Sequence, residues 1–92
     1  MTIYEERDYE EYITKGEHFL AMAEFFYEGK KLKLAIRKFY HAEICFEKAH
    51  EIASRCLDVQ LVLTAKEKEY YCLEKIDELE QFRNVSLDEF IR

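Results

Sequence analysis

Between Phe19 and Ala49 the chain carries a ladder of small and aromatic residues: Phe19, Ala23 and Phe26, then Ala35, Phe39, Ala42, Phe46 and Ala49. Only Gly29-Lys30-Lys31 interrupts it. Steps of three and four residues put each set on one helical face, and the chain contains no proline to break either run. The pattern predicts a tight helical hairpin in which alanines let two backbones approach while phenylalanines fill the layers between them. Such a hairpin is a scaffold for binding other chains.

The first helix is expected to begin between Tyr4 and Tyr9 and to run to about Glu28, with Tyr9, Tyr12, Ile13, Gly16, Phe19, Leu20, Ala23, Phe26 and Tyr27 turned inward. Acidic residues crowd its first turns, where the helix dipole favours negative charge. Gly29 suits the left-handed conformation that ends a helix. The second helix, from about Leu32 to Cys56, has the stripe Leu32, Ala35, Phe39, Ala42, Phe46, Ala49, Ala53 and Cys56, and beside it Ile36, Tyr40 and Ile44. So wide an apolar face needs a second neighbour or a groove. A third helix, from about Val59 to Arg83, supplies Val62, Leu63, Tyr70, Leu73, Ile76, Leu79 and Phe82. The expected fold is all-α: an antiparallel three-helix bundle in one domain spanning 1–92, with a core over 9–83. A short C-terminal helical piece over 84–92 would start at Ser86, whose S-x-x-E spacing to Glu89 fits a capping box.

Composition agrees with this architecture, since 49% apolar and 37% charged residues supply one small core and a solvated surface. A net charge of −6 argues against a nucleic-acid partner, which needs a basic face to neutralise phosphates. The odd number of cysteines, Cys45, Cys56 and Cys72, without a C-x-x-C pair, reads as reduced thiols in a cytoplasmic protein. The N-terminal residues lack the basic start and apolar run of a signal peptide, and no apolar stretch approaches the roughly 20 residues that cross a bilayer.

The stretch Leu34-Ala35-Ile36-Arg37-Lys38-Phe39-Tyr40-His41-Ala42, continued by Phe46 and Ala49, resembles the E-A-L-x-x-Y-x-x-A segment of the MIT (microtubule interacting and trafficking) domain. Leu73-Glu74-Lys75-Ile76-Asp77-Glu78-Leu79 resembles that family's third-helix segment, with Ile76 bulkier than the usual alanine. The hairpin also resembles a single tetratricopeptide repeat, but a shift of 34 residues finds no second one. The MIT resemblance spans roughly 16–82. It implies a non-catalytic adaptor that binds a helical or extended peptide of a partner between helices 2 and 3, in ESCRT-type membrane remodelling or trafficking. The residues of this chain at that groove are Tyr40, Ile44 and Glu47 on the second helix, and Leu73, Ile76, Asp77 and Glu80 on the third. Leucines of the partner would meet the apolar members, and arginine or lysine would meet Asp77 and Glu80.

A second surface feature is the basic patch Lys30, Lys31, Lys33, Arg37 and Lys38 around the first turn, in an otherwise acidic chain. It suits a weak membrane-surface contact. It also suits attraction to the acidic N-terminal segment of another copy, giving a weak homodimer or a homo-oligomeric structural bundle. Met22 and Phe25 lie off the main stripe and are expected, with Ile36 or Tyr40, to form an exposed patch.

Catalysis has one candidate. Arg37 and His41 are similar to the R-x4-6-H motif of HEPN ribonucleases, although their spacer is one residue short, so an HEPN-like RNase or inactive relative is the alternative in a different class. His41 and Cys45 share a face but lack the third and fourth ligands that zinc requires. No metal and no cofactor is expected.

Overall fold

The computed structural model describes residues 2–91, with side chains described for residues 2–82. Its elements are α1 (Ile3–Glu28), α2 (Leu32–Arg55) and α3 (Val59–Ile91), with no strand among the described residues. The expected all-α, three-helix architecture is therefore present.

The start of α1 lies earlier than the periodicity suggests, because Thr2 and Glu5 form a capping box. The Glu5 amide donates to Thr2 Oγ1 at 3.1 Å and the Thr2 amide to Glu5 Oε1 at 3.2 Å. The second oxygen of Glu5 accepts from the Cys56 thiol at 2.8 Å, which ties the start of α1 to the end of α2. These donors, Cys56 first, hold the Glu5 carboxyl at about 2, well below its ordinary value.

Both turns are Schellman motifs whose left-handed residue is not glycine. Lys30 (φ 61°) and Leu57 (φ 55°) take that position, whereas Gly29 stands at φ −78°. This corrects the assignment of the left-handed role to Gly29. After the first turn the Lys31 amide bonds to the Phe26 carbonyl and Lys30 to Tyr27; after the second, Asp58 bonds to Ala53 and Leu57 to Ser54. Asp58 then caps α3 by accepting the Leu61 amide at 3.2 Å.

α2 is the central helix, packed along its length against both neighbours, while α1 and α3 meet mainly through long side chains. Tyr9 OH donates to the Leu61 carbonyl at 3.1 Å, Lys68 pairs with Glu17 at 3.1 Å, and Tyr71 OH donates to Glu24 at 3.1 Å. The result is elongated, 57 × 19 × 13 Å. Its core holds the α2 stripe as expected, with Ala35, Phe39, Ala42, Phe46, Ala49 and Ala53 all buried. Gly16 lies under the Phe46 ring so closely that a Cβ there would stand 2.7 Å from Cδ1 and 2.8 Å from Cζ.

α3 departs from expectation in phase. Its buried residues are Ala65, Cys72, Ile76 and Leu79, whereas Leu63, Tyr70, Leu73 and Phe82 are exposed. Ile76 and Leu79 are inside, as expected of the third-helix set, while alanine and cysteine hold the other two core positions. Ile36, expected on the second stripe of α2, is buried, and Tyr27, expected inside, is exposed. The helical tail is also joined differently: α3 runs unbroken to Ile91, so Ser86 lies within it rather than at a helix start. The Ser86 and Glu89 side chains lie outside the described ones. No helix described here is long and apolar enough to cross a membrane.

Two stability changes follow. Gly16→Ala should lower stability by about 1–2 kcal/mol in urea titration, because the overpacking outweighs alanine's better helix propensity, and Phe46→Leu in the same chain should restore part of that loss. Leu57→Gly should raise stability by about 1 kcal/mol, read as a melting shift of roughly 4–8 °C, because it removes the left-handed penalty of a side chain that packs on nothing.

Candidate functional site

The two helices that build the expected groove are held in register by contacts across it. Tyr40 OH on α2 donates to Glu80 Oε1 on α3 at 3.3 Å, and His50 Nδ1 lies 3.9 Å from Glu69 Oε2. In this antiparallel register Glu47 is level with Leu73, and Ile44 with Ile76 and Asp77. Steps of four and three residues along each helix (40, 44, 47 and 73, 77, 80) keep these positions on one side.

Six of the seven expected residues lie on that surface. Tyr40 (42% exposed), Ile44 (46%) and Leu73 (39%) form its apolar part, and Glu47, Asp77 and Glu80 are exposed acids around them. Ile76 does not belong with them: at 4% exposure it is part of the core, because α3 turns this position toward Cys72 and Leu79 rather than toward solvent. It supplies a rigid floor, not a contact. Tyr70, three residues before Leu73, extends the exposed row and was missed because it was assigned to the core.

The charges on this face act on one another. Glu80 pushes the Tyr40 hydroxyl above its ordinary value. Glu43, half-buried between α2 and α3, has its carboxyl pushed up first by burial and then by the carboxylates of Glu47 and Glu69. The face is therefore one of excess negative charge that a cation would relieve.

The basic turn is where expected. Lys30, Lys31, Lys33 and Arg37 are exposed, and none of the four has an ion-pair partner among the described residues. Lys38 is half-buried, its Nζ 5.6 Å from the centre of the Phe19 ring. Phe25, as expected, is exposed, in edge contact with Phe26 at 5.8 Å, and Tyr40 is exposed too, whereas Met22 is half-buried and Ile36 buried.

Arg37 and His41 meet at a shallow depression of about 420 Å³ that Lys33, Ile36 and Tyr40 also line. His41 packs edge-on against Phe19 at 5.1 Å, with its Nδ1 buried and without a hydrogen-bond partner. The three cysteines are free; burial pushes the Cys45 thiol up and the Cys72 thiol to about 12, so neither is a thiolate near neutral pH. Among the described residues no three His, Cys, Asp or Glu side chains are grouped to hold a metal ion.

No protein-family model matches this chain, and no curated protein or solved structure matches it either.

Glu43 provides a test of the electrostatics. A carboxyl whose folded value is raised destabilises the fold as pH rises through its unfolded value toward its folded one. Glu43→Gln should therefore raise the urea midpoint above that of the parent at pH 7 but not at pH 4; equal shifts at both would show that packing, not charge, is responsible.

Proposed function

We propose that this chain is a non-catalytic, MIT-like adaptor that takes up a basic, amphipathic segment of a partner protein along the α2/α3 face. One observation carries the reading: three large apolar side chains, Tyr40, Ile44 and Leu73, stand exposed side by side within a ring of acids formed by Glu47, Asp77 and Glu80. Tyrosine is among the residues enriched as interface anchors, Ile44 and Leu73 add apolar area beside it, and the surrounding acids select the charge of what docks there. With Ile76 fixed in the core, the face is shallow, which favours a helix laid across it over a side chain inserted into it. The MIT resemblance supports the same location and the trafficking context.

The test is titration with a synthetic amphipathic helix carrying leucines on one face and arginine and lysine on the other, followed by amide chemical shifts and fluorescence anisotropy. Shifts should cluster at Tyr40, Ile44, Leu73 and Asp77. Leu73→Asp should weaken binding about tenfold, ~1.4 kcal/mol. Paired Asp77→Lys and Glu80→Lys should weaken it at least as much and flatten its salt dependence. Shifts spread over the basic turn instead, or affinity unchanged in both variants, would exclude this face.

The shared depression of Arg37 and His41 favours one second reading, an HEPN-like RNase. It requires RNA cleavage that disappears in Arg37→Ala and in His41→Ala, variants that leave the α2/α3 face intact.

A further inference from the structure

The two ends of the molecule each expose apolar side chains, and each carries charged groups without an ion-pair partner among the described residues. At one end the α2–α3 turn displays Leu57, which is 86% exposed although a leucine there holds the left-handed backbone that glycine takes most easily. Val59 and Leu63 stand exposed beside it, and the three line a depression of about 280 Å³ with Ser54 and Val62. The capping box and the Cys56–Glu5 contact bring the acidic start of α1, Glu5, Glu6 and Asp8, to this same end. Arg7 and Arg55 are the bases nearby in sequence. The end is an apolar knob with acidic flanks.

At the other end α3 overruns the α1–α2 turn. Level with that turn is a cleft of about 700 Å³, whose apolar walls are Tyr27, Leu32, Leu79 and Phe82. Beyond Phe82 the α3 backbone continues to Ile91, a ledge of roughly 13 Å at 1.5 Å per residue. Lys30 lines the cleft, and Lys31, Lys33 and Arg37 follow it on the turn and α2. Two acids also line it: Glu28, and Glu78, which is 3.4 Å from Lys75. The cleft is apolar, with two acids and one base in its lining and the further cations Lys31, Lys33 and Arg37 beyond it on the turn and α2.

We propose that the chain associates head to tail with copies of itself, the Leu57 knob of one molecule seated in the cleft between Leu32 and Phe82 of the next. A second copy fits both halves of the observation: it brings apolar side chains to an apolar cleft and acids to cations that have no partner among the described residues. The joined surfaces differ, so the contact is heterologous, and nothing in it limits growth to a dimer. It leaves Tyr40, Ile44 and Leu73 uncovered. A row of molecules would therefore present the α2/α3 face repeatedly, and weak single contacts there would add through effective concentration.

Sedimentation velocity over a range of concentrations, at low and at high salt, provides the test. The average mass should grow beyond that of a dimer at low salt and fall at high salt. Leu57→Gly should raise the melting temperature yet weaken association at least tenfold, a combination that no folding defect produces. Leu57→Asp and Phe82→Asp should each be monomeric alone and form a one-to-one heterodimer when mixed, since each retains the half the other lacks. Leu73→Asp should associate as the parent does. A parent that stays monomeric at low salt, a dimer that does not grow, a mixture of the two aspartate variants that stays monomeric, or a Leu57→Gly variant that associates as strongly as the parent would each overturn the proposal. Association abolished by Leu73→Asp would do so too, by moving the contact to the α2/α3 face.

Discussion

The contact between Gly16 and the Phe46 ring sets the distance at which α1 lies against α2, and the rest of the core follows from that distance. A β-carbon at position 16 would stand within 3 Å of a ring that is itself fully buried, so neither side has room to yield. Around this point Ala23, Ala35, Ala42, Ala49, Ala53 and Ala65 are all fully inaccessible to solvent. Alanines buried to this extent contribute little area individually; they bring backbones close enough for the large rings of Phe39 and Phe46 to be surrounded. Burial of each ring stabilises the fold by roughly 1.5–3 kcal/mol.

Because α2 uses both flanks for this packing, it becomes the middle of the molecule, and α1 and α3 are left joined by polar reach rather than by a third dry interface. Tyr9, Lys68 and Tyr71 span that gap with hydrogen bonds and an ion pair at partly exposed positions. Their net worth is modest, on the order of 1 kcal/mol each. They fix the direction of α3 more than they stabilise it. The fixed direction carries α3 past the first turn, and the overhang that forms the ledge is a consequence of helix length alone.

The α2 stripe was fully legible in the sequence because there the small and the large residues share one face, so any weighting of hydrophobicity finds the same phase. On α3 they do not. Ala65, Cys72, Ile76 and Leu79 form the buried face; periodicity finds Ile76 and Leu79, but in place of the smaller Ala65 and Cys72 it picks the larger neighbours Leu63, Tyr70 and Leu73. The missed signal was the continuation of the small-residue ladder into Ala65 and Cys72. In the first turn one position is misread from sequence: α1 ends at Glu28 as expected, but Gly29 is its C-cap at φ −78° and Lys30 takes the left-handed position. Thr2-Ile3-Tyr4-Glu5, in contrast, is a readable capping box, obscured because apolar periodicity begins only at Tyr9. Of the residues that the MIT resemblance assigns to the groove, Tyr40, Ile44, Leu73 and the three acids are exposed; Leu73 and Ile76 also stand in the inward set expected of the third helix, and only Ile76 lies there.

That phase bears on function. A helix under pressure only to fold would gain by turning Leu63, Tyr70 and Leu73 inward, since each large side chain left in water forgoes roughly 1.5–3 kcal/mol of burial. Here two of the four buried positions of α3 are alanine and cysteine, both fully inaccessible to solvent, while Leu63, Tyr70 and Leu73 lie outside. Leu57 adds a second instance at a different site, a leucine exposed on a backbone conformation that itself costs free energy. Scattered exposed apolar residues are ordinary on any surface. Phe25 and Tyr71 are of that kind, whereas Tyr40, Ile44, Tyr70 and Leu73 share the α2/α3 face with acids, and Leu57, Val59 and Leu63 share one end; contiguity, not exposure alone, is what gives such a surface apolar area to bury.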